Sequence, residues 1–479
     1  MLEAFSVEQV RRAEAALRAE LPDGTLMGRA AFGLAAACAG LLRRVYGARV
    51  VAVVGSGDNG GDALYAAALL ARRGALVEAV LLSPERAHEG GLDAIRRVGG
   101  LVRAAGSVTA GEVACADLVL DGVTGIGGRG GLWEEAARLF SGVPLLVVAV
   151  DVPSGVDSGS GAVSGEAVRA DATVTFGAYK PGALIDPGAG YAGECRFVDI
   201  GLRPYLYGEP EVEALEADDV EALLPRPDRE MDKYRRGVVG ITAGSAKYPG
   251  AAVLAVGAAL RSGIGAVRFV GDPAVTDGVL ARHPEVMVAE GGPAQAGRVQ
   301  AWVVGPGLGT SLMAAERLRE VLAQDVPVLV DADGLTLLKQ YGADWLTART
   351  APTALTPHAG EAARLLGWDR ERIESHRLAA VRELADRFGV TALLKGSTTL
   401  VAEPGRSTVR VNTTGVPALA TAGSGDVLAG LAGGLLAAGL SAFDALSAAA
   451  WLHGTAAQAA CGASGSAIVA SDVVTFLGG

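Results

Sequence analysis

The sequence predicts an α/β protein with two domains, each built on a largely parallel sheet. Short apolar runs recur along the chain and end in glycine or aspartate, and alanine-rich helical stretches lie between most of them. A charged, proline-rich segment interrupts this alternation at residues 203–236. Apolar strands that alternate with helices are typical of parallel sheets covered by helices on both faces. A chain of 479 residues is long enough for two large domains.

The composition excludes several classes of protein. Half of the residues are apolar and 20% are charged, which excludes global disorder. The formal net charge is −11 and no basic block is present, so we expect no nucleic-acid or membrane partner. The four cysteines form no CxxC motif, which predicts neither a zinc site nor a disulfide framework. We therefore expect a soluble protein of the cytoplasm.

The N-terminal elements follow in order. Ser6 and Gln9 form a capping-box pattern that predicts a helix over Val7–Leu17, and a second helix is predicted over Ala30–Tyr46. Predicted strands then alternate with helices that include Asp62–Arg73 and Leu132–Phe140; the strands lie at 49–55, 76–82, 117–122, 144–151 and 172–177. Ligands of such sheets bind at the carboxyl ends of the strands, which here carry DNGGD, DGVTG and DVPSG.

The second half repeats the alternation after the charged segment. A short helix is predicted over 218–224, and the domain boundary is placed near residue 212, which divides the chain into 1–212 and 213–479. Strands are predicted at 238–244, 266–271, 301–307, 327–334, 391–396, 399–403 and 409–412. Two Gly/Ala-rich helices, Asp426–Gly439 and Phe443–Cys461, complete the second domain.

The first candidate site is the segment GSGDNGGDAL, residues 55–64. A buried strand leads through glycines into a helix predicted to start near Asp62, and a helix N-terminus binds phosphate through free N–H groups. The spacing is not GxGxxG, so the usual dehydrogenase fingerprint is not supported. Asp58, Asn59 and Asp62 place more side-chain oxygens at this strand end than a turn requires. A tight turn without a ligand is the alternative.

Two further segments follow neighbouring strands. DGVTGIGGRGG begins at Asp121, and DVPSGVD contains Asp151 and Ser154. Asn59, Asp121 and Ser154 are oxygen donors at adjacent strand ends, and an all-oxygen set suits a hard cation. A flexible glycine-rich loop is the alternative for residues 121–131.

Together with FGAYKPG (176–182) and DIGL (199–202), these motifs resemble the NAD(P)H-hydrate epimerase family, also called the YjeF N-terminal domain, over about residues 6–205. The resemblance implies a Rossmann-like parallel-sheet sandwich and a K⁺ ion bound by Asn59, Asp121 and Ser154. It also implies contacts to the hydrated nicotinamide nucleotide from Asp151 and from two segments, Asp58, Asn59, Gly60, Gly61 and Asp62, and Gly125, Ile126, Gly127, Gly128, Arg129, Gly130 and Gly131. The chain has DNGGDA where the family has NNGGDG, GIG where it has GTG, and LMGRAA where it has LMExAG.

The second candidate site is NTTGVPALATAGSGDVLAGL, in which GSGD leads into a long predicted helix. Backbone N–H groups of Gly423–Gly425 would stabilise developing phosphate charge. Asp426 beside them is suited to accept the proton of a hydroxyl that is being phosphorylated. The alternative is that Asp426 is a plain helix N-cap.

Four segments accompany GSGD: GPGLG (305–309), DADGL (331–335), LTPHAGE (355–361) and LLKGSTT (393–399). Lys395 and the residues after it follow an apolar strand, an arrangement suited to a nucleotide phosphate. His358 lies in a proline-flanked loop before a helix, where we interpret it as a binding residue. Glu361 is interpreted as a first-turn helix carboxylate rather than a base.

These segments resemble the ADP/ATP-dependent NAD(P)H-hydrate dehydratase family, the YjeF C-terminal domain, which has a ribokinase-like α/β fold; the resemblance covers about residues 213–479. It implies that Asp426 is the catalytic base. It further implies nucleotide contacts from Lys395, Gly396, Ser397, Thr398, Thr399 and Gly425, and contacts to the hydrated cofactor from Ala251, Gly307 and His358. The chain has PHAGE where the family often has PHPGE.

The two resemblances together imply repair of hydrated NADH and NADPH. The hydrated ring carries a hydroxyl on C6 next to nitrogen, so this hemiaminal carbon inverts with a positioned acid or base, and Asp121 and Asp151 are both candidates. The second domain would then dehydrate one epimer with ADP, for which ATP is the alternative, and phosphoryl transfer implies Mg²⁺. We also expect a homo-oligomer. The competing hypotheses are a small-molecule kinase in the second half and a non-catalytic nucleotide-binding module in the first.

Overall fold

The computed structural model describes residues 1–128, 130–142, 146–226, 228–342, 344–347, 349–463 and 465–477. The chain forms two compact units. The first consists of residues 3–212, and the second consists of residues 213–479 together with residues 1–2. Both units are α/β, as the sequence predicts.

The first unit contains a seven-stranded sheet in which every strand pairs in parallel with its neighbours. After a short N-terminal strand, β1 (Leu2–Ala4), its strands are β2 (Arg49–Val54), β3 (Leu76–Leu81), β4 (Leu101–Ala104), β5 (Leu118–Gly122), β6 (Val147–Val150), β7 (Ala172–Phe176) and β8 (Glu194–Val198). Their order across the sheet is β4-β3-β2-β5-β6-β7-β8. The five predicted strands are confirmed, whereas β4 and β8 were not predicted, because these edge strands are only partly buried and carry polar residues.

The helices of the first unit are α1 (Val7–Glu20), α2 (Thr25–Leu41), α3 (Asp58–Arg72), α4 (Glu89–Arg97), α5 (Ala110–Ala114), α6 (Glu134–Phe140) and α7 (Ala189–Ala192). The capping box of Ser6 and Gln9 is confirmed. The predicted starts of α2 and α3 are wrong, since both helices begin several residues earlier. Each follows a glycine with positive φ, Gly24 at 76° and Gly57 at 104°. Glycine adopts this conformation readily because it has no side chain, and the turn it makes leads the chain into the helix.

Both faces of the first sheet are covered. Along β2, Val50, Ala52 and Val54 pack into a core shared with α1–α4. The alternate residues, Val51 and Val53, pack into a second core shared with α5 and α6. Burial on both sides explains the continuous apolar run of β2. Polar side chains that could bind a ligand are therefore found at the ends of the strands.

The second unit has a mixed sheet. Its strands are β9 (Val212–Ala214), β10 (Val238–Thr242), β11 (Ala266–Phe269), β12 (Met287–Val288), β13 (Ala301–Val304), β14 (Val328–Val330), β15 (Thr353–Leu355), β16 (Thr391–Leu394), β17 (Thr399–Ala402) and β18 (Val409–Asn412). From β9 the order is β9-β18-β17-β16-β15-β14-β13-β10-β11-β12. The block from β12 to β16 is parallel, whereas β16, β17 and β18 pair antiparallel.

The helices of the second unit are α8 (Ala217–Leu223), α9 (Pro249–Arg261), α10 (Pro273–Arg282), α11 (Leu312–Leu322), α12 (Asp333–Tyr341), α13 (Asp344–Thr347), α14 (Ala359–Leu366), α15 (Arg370–Ser375), α16 (Arg377–Phe388), α17 (Ser424–Ala437), α18 (Ala442–Cys461) and α19 (Ala470–Phe476). The predicted start of α17 at Asp426 is wrong, because the helix begins at Ser424 after Gly423, whose φ is 89°. In the described part of the chain no single helix has the length and apolarity to cross a membrane; α1 and α2 meet that test only as a pair bent by 116°.

Helix α17 packs closely on α9. A Cβ atom at Gly430 would lie 1.9 Å from the carbonyl oxygen of Ala255, so this glycine sets the distance between the two helices. The N-terminus of α17 is thereby held next to α9, on which Ala251 lies.

We predict that Gly430→Ala destabilises the protein by about 1–3 kcal/mol, because the added methyl group forces the two backbones apart. The matched control is Gly278→Ala in α10, where a Cβ would meet nothing within 4 Å. This control is expected to be neutral or to stabilise by up to about 1 kcal/mol. Thermal and urea unfolding of the full chain measure both effects. Equal unfolding curves for the two variants would contradict the packing argument.

Candidate active sites

Asp121 and Ser154 form a buried polar anchor in the first unit. Asp121 is fully buried near the end of β5, and its carboxylate accepts hydrogen bonds from the Ser154 amide at 2.8 Å and the Ser154 hydroxyl at 2.6 Å. The amide of Val123 donates a third bond at 3.3 Å. Burial raises the pKa of Asp121 to about 6, and the bonds from Ser154 and Val123 oppose that rise. The pair ties the end of β5 to the loop that follows β6.

The three predicted cation ligands gather around the Thr124–Gly125 segment. The Thr124 amide donates to the Ser154 hydroxyl oxygen at 2.9 Å. Asn59 lies in the first turn of α3, and its Oδ1 is 3.0 Å from the position of a Cβ on Gly125. The Nδ2 atom of Asn59 is buried without a hydrogen-bond partner among the described residues. The atoms at this position that would suit a hard cation are the oxygens of the Asn59 side chain, the Ser154 hydroxyl and the Asp121 carboxylate.

Asp151 and Lys180 form a buried ion pair in the same unit. The Lys180 side chain is 1% exposed, and its ammonium group donates to Asp151 Oδ1, to the Thr175 hydroxyl at 3.1 Å and to the Phe176 carbonyl at 3.0 Å. Asp151 also accepts from the Thr175 hydroxyl and the Phe176 amide. Its φ of 69° is unusual for a residue other than glycine, and such strain is commonly found at functional sites.

Lys180 was not among the predicted site residues. The signal for it was a single lysine within the otherwise uncharged run FGAYKPGALI. A lysine in such a run is buried only if a partner is available, and the partner, Asp151, directly follows strand β6.

A cleft of about 700 Å³ opens beside this pair. Of the predicted residues it is lined by Asp58, Asn59, Asp62, Gly125, Ile126, Gly127, Gly128 and Asp151, and α1 contributes Arg11, Glu14 and Arg18. Gly60 and Gly61 lie in the first turn of α3 and, like Asp121, Ser154, Gly130 and Gly131, do not line it. Arg129 lies outside the described residues.

The charge of Asp58 has a partner. Its Oδ2 accepts a bond of 2.7 Å from Arg18, although both side chains are more than half exposed. The negative charge that Asp58 adds at the mouth of the cleft is therefore matched by a cation from α1. The sequence did not predict this compensation, because Arg18 lies 40 residues earlier in the chain.

In the second unit, Asp426 lies in the first turn of α17. The N-cap residue is Gly423 and makes no side-chain capping bond, so the alternative that Asp426 is the N-cap is wrong. Burial raises the pKa of Asp426 to about 6; the charge of Asp331 adds to the rise, and Lys395 opposes it. A carboxylate with this pKa is a competent base at neutral pH.

Lys395 joins the strand ends to the N-terminus of α17. Its Nζ lies 2.7 Å from Asp331 Oδ1 and 3.9 Å from Glu361 Oε2, and it is 3.4 Å from the position of a Cβ on Gly425. Burial by itself would lower the pKa of Lys395, but the carboxylates of Asp331, Glu361 and Asp426 raise it above its usual value. The ammonium charge therefore stays beside the helix N-terminus.

Asp331 was not predicted as a site residue, although DADGL was noted as a companion segment. The side chain is almost fully buried and accepts a bond from the Thr356 hydroxyl at 2.9 Å as well as from Lys395. The available signal was an aspartate directly after the apolar strand β14.

His358 is the N-cap of α14. Its Nδ1 accepts bonds from the amides of Gly360 at 3.0 Å and Glu361 at 3.3 Å, and Glu361 Oε2 accepts from the His358 amide at 2.8 Å. The prediction that Glu361 is a first-turn carboxylate is confirmed, and this carboxylate also faces Lys395. Burial lowers the pKa of His358, whose half-exposed ring places Nε2 at 3.5 Å from Glu361 Oε1.

The turn between β16 and β17 divides the predicted nucleotide segment. Gly396 and Ser397 are exposed, whereas Thr398 and Thr399 are buried. The Thr399 hydroxyl donates to the Gly396 carbonyl at 3.2 Å, and Arg377 donates to carbonyls on both sides of the turn. Residues 395–397 therefore form the accessible part of this segment.

Ala251 and Gly307 are neighbours. Gly307 has a φ of 58°, and a Cβ there would lie 2.7 Å from the Cβ of Ala251. The Ser245 hydroxyl donates to the Gly307 carbonyl at 2.8 Å, and the Gly309 amide donates to Asp333 at 2.8 Å. Asp333 is among the charges that raise the pKa of Asp426, so this glycine loop belongs to the same site.

Each of the two units matches a known protein family. One family model, described as the YjeF-related protein N-terminus, matches residues 23–182, and another, described as NAD(P)H-hydrate dehydratase, matches residues 239–476. The solved ADP/ATP-dependent NAD(P)H-hydrate dehydratase of Bacillus subtilis is 29% identical with a TM-score of 0.50, over 56% of this chain and 96% of that one. A ribokinase-like protein of Enterococcus faecalis is 26% identical with a TM-score of 0.50, over 57% and 96%. The predicted ribokinase-like fold is confirmed.

Curated relatives match both units at once. The bifunctional NAD(P)H-hydrate repair enzyme Nnr of Mycobacterium tuberculosis is 51% identical over 92% of this chain and 90% of its own length. The protein of the same name from Mycobacterium leprae is 50% identical over 95% and 93%. The chain belongs to the family of bifunctional NAD(P)H-hydrate repair enzymes.

We predict that Lys180→Met destabilises the protein by about 3–5 kcal/mol, because it leaves the Asp151 carboxylate without its buried cation. The double variant Lys180→Met/Asp151→Asn removes both charges and should recover most of this loss. Chemical denaturation of the full chain measures both variants. If the double variant is as unstable as the single one, the ion pair is not the cause.

Proposed function

We propose that the chain repairs hydrated NADH and NADPH. Residues 1–212 interconvert the R and S epimers of the hydrate, and residues 213–479 dehydrate the S epimer with consumption of ADP. Membership of the bifunctional family supports both parts. The observation that carries the proposal is the position of Asp426, in the first turn of α17 beside Gly425 and the ammonium group of Lys395.

For the epimerase site we propose Asp151 rather than Asp121 as the group that moves protons. Asp151 lines the cleft, whereas Asp121 is fully buried and its oxygens are engaged by Ser154 and Val123. The substrate carbon C6 bears a hydroxyl next to the ring nitrogen, so it inverts without forming a carbanion. A carboxylate held by a buried lysine is suited to this proton transfer.

The buried polar anchor formed by Asp121 and Ser154 supports the proposal of a K⁺ site. Asn59, Asp121 and Ser154 would hold the ion through their side-chain oxygens. The fit rests on this all-oxygen set and on the 2.6 Å bond that places the Ser154 hydroxyl beside the Asp121 carboxylate. When bound, the ion would supply positive charge near these residues. Asp58, Asn59, Asp62 and Gly125–Gly128 would contact the hydrated nucleotide.

For the dehydratase site we propose phosphoryl transfer followed by elimination. Asp426 accepts the proton of the C6 hydroxyl while the oxygen attacks the terminal phosphorus of ADP, and AMP leaves. Lys395 and the N–H groups of Gly423–Gly425 stabilise the charge that develops on the phosphoryl group. Phosphate then leaves C6 and a proton leaves C5, which restores the dihydropyridine.

The remaining contacts follow from this arrangement. Gly396, Ser397, Thr398, Thr399 and Gly425 would hold the adenine nucleotide, and Ala251, Gly307 and His358 would hold the hydrate. The described residues contain no group of three or more His, Cys, Asp or Glu placed to hold a metal. We therefore propose that Mg²⁺ enters with the nucleotide phosphates, in line with the ATP/Mg²⁺ named for the Bacillus structure. We propose ADP as the nucleotide, with ATP as the alternative.

We further propose that the protein is a homo-oligomer of the cytoplasm. Size-exclusion chromatography tests the oligomeric state.

The first test uses mixed epimers of NADH hydrate in potassium buffer. The full chain is given ADP, and in a parallel reaction ATP, while absorbance at 340 nm is followed. We expect recovery beyond the fraction present as the S epimer, since the first unit resupplies that epimer. Recovery that stops at this fraction contradicts an active epimerase. A stable phosphorylated product instead of NADH would contradict the dehydratase and favour a kinase.

We predict that Asp426→Asn lowers the dehydratase kcat by about 10²–10⁴-fold, because the hydroxyl loses its proton acceptor. Epimerisation in the same chain should be unchanged. The wild-type rate should rise with pH up to about 6, the pKa of Asp426, and level above it, since only the ionised carboxylate accepts the proton. The control is Asp277→Asn, an exposed carboxylate in α10. Activity of Asp426→Asn comparable with this control contradicts the assignment.

A further inference from the structure

Asp62 is a buried carboxyl group in the epimerase cleft that lacks an identified partner. It is the fifth residue of α3, lines the same cleft as Asp151 and is 9% exposed. Its Oδ1 atom is buried and has no hydrogen-bond donor among the described residues. Burying an ionised carboxylate without a donor is far less favourable than burying a neutral carboxyl group.

The neighbouring carboxylates of Asp151, Asp58 and Glu14 oppose ionisation of Asp62, whereas Arg18 favours it. The charged side chains that face the cleft are Arg11, Glu14, Arg18, Asp58, Arg86 and Asp151, and Lys180 lies behind Asp151. His88 of α4 packs against Gly61, the preceding residue. Two of these cations are engaged by other carboxylates, Arg18 by Asp58 and Lys180 by Asp151.

The surroundings of Asp62 therefore favour its protonated form. Burial, followed by the charges of Asp151, Asp58 and Glu14, raises the pKa of Asp62 well above its usual value. Asp151 accepts bonds from an ammonium group, a hydroxyl and an amide, all of which stabilise the carboxylate. Two carboxyl groups in one cleft whose surroundings favour opposite protonation states define an acid and a base.

We propose that Asp62 is the general acid of the epimerase site and Asp151 its general base, an assignment that rests on the proposed epimerase function. Asp62 donates its proton to the C6 hydroxyl oxygen, the C6–O bond breaks, and the ring nitrogen lone pair forms an N1=C6 iminium ion. Water adds to the other face of C6, and Asp151 accepts the proton that this water loses. Proton exchange with solvent, or the reverse reaction, restores both groups.

The test is the interconversion of isolated epimers by the full chain without nucleotide, so that the dehydratase is silent. We expect Asp62→Asn to lower kcat/KM by about 10²–10⁴-fold. Glu14→Gln, which removes a half-buried carboxyl group of the same cleft, should lower kcat/KM by less than about tenfold. Glu8→Gln, an exposed carboxylate on α1, is the control for the substitution itself and should match the wild type.

The pH profile separates a chemical role from a structural one. The wild-type kcat/KM should fall as the pH is raised from 5 to 10, because the acid loses its proton, and this fall should persist in Glu14→Gln. A profile without a falling limb overturns the proposal even if Asp62→Asn does not fold. A folded Asp62→Asn variant whose kcat/KM is within threefold of the wild type also overturns the proposal. Disappearance of the falling limb from the pH profile of Glu14→Gln overturns it as well. Failure of the wild type to interconvert the epimers would instead contradict the epimerase function itself.

Discussion

The parallel pairing of neighbouring strands is the constraint on which both sites depend. Because β2, β5 and β6 run in the same direction, their carboxyl ends meet at one edge of the first sheet. Asn59, Asp121 and Ser154, which are far apart in the sequence, are brought together there. In the second unit, β14, β15 and β16 bring Asp331, His358 and Lys395 to one edge in the same way.

A lysine paired with a buried aspartate occurs in each site. Lys180 contacts Asp151, and Lys395 contacts Asp331. In both places a residue other than glycine has a positive φ, Asp151 itself and Ala332 after Asp331. Such conformations are unfavourable by about 1–3 kcal/mol and persist where surrounding contacts fix them. The ion pairs and the bonds from neighbouring strands supply those contacts.

The fold class, most central strands and the residues of the motifs could be predicted from the sequence, because apolar periodicity and glycine-rich strand ends are local signals. Helix starts were less predictable. Helices α3 and α17 begin before the residues expected, since glycines in the first turn obscure the helical pattern. The site residues that were missed, Lys180 and Asp331, act through partners elsewhere in the chain, and no local pattern reveals such partners.

The sequence by itself determined which segments carry chemistry, since apolar strands that end in Gly, Asp and Asn leave the polar groups at one edge of a parallel sheet. Only the tertiary structure decided the state of each group. Lys180 lies 29 residues from Asp151, and Lys395 lies 64 residues from Asp331. Whether a carboxyl group is ionised depends on its burial and on such distant charges. That is why Asp121 proved to be an anchor, Asp151 a carboxylate in the cleft, and Asp62 a buried carboxyl group whose pKa is raised.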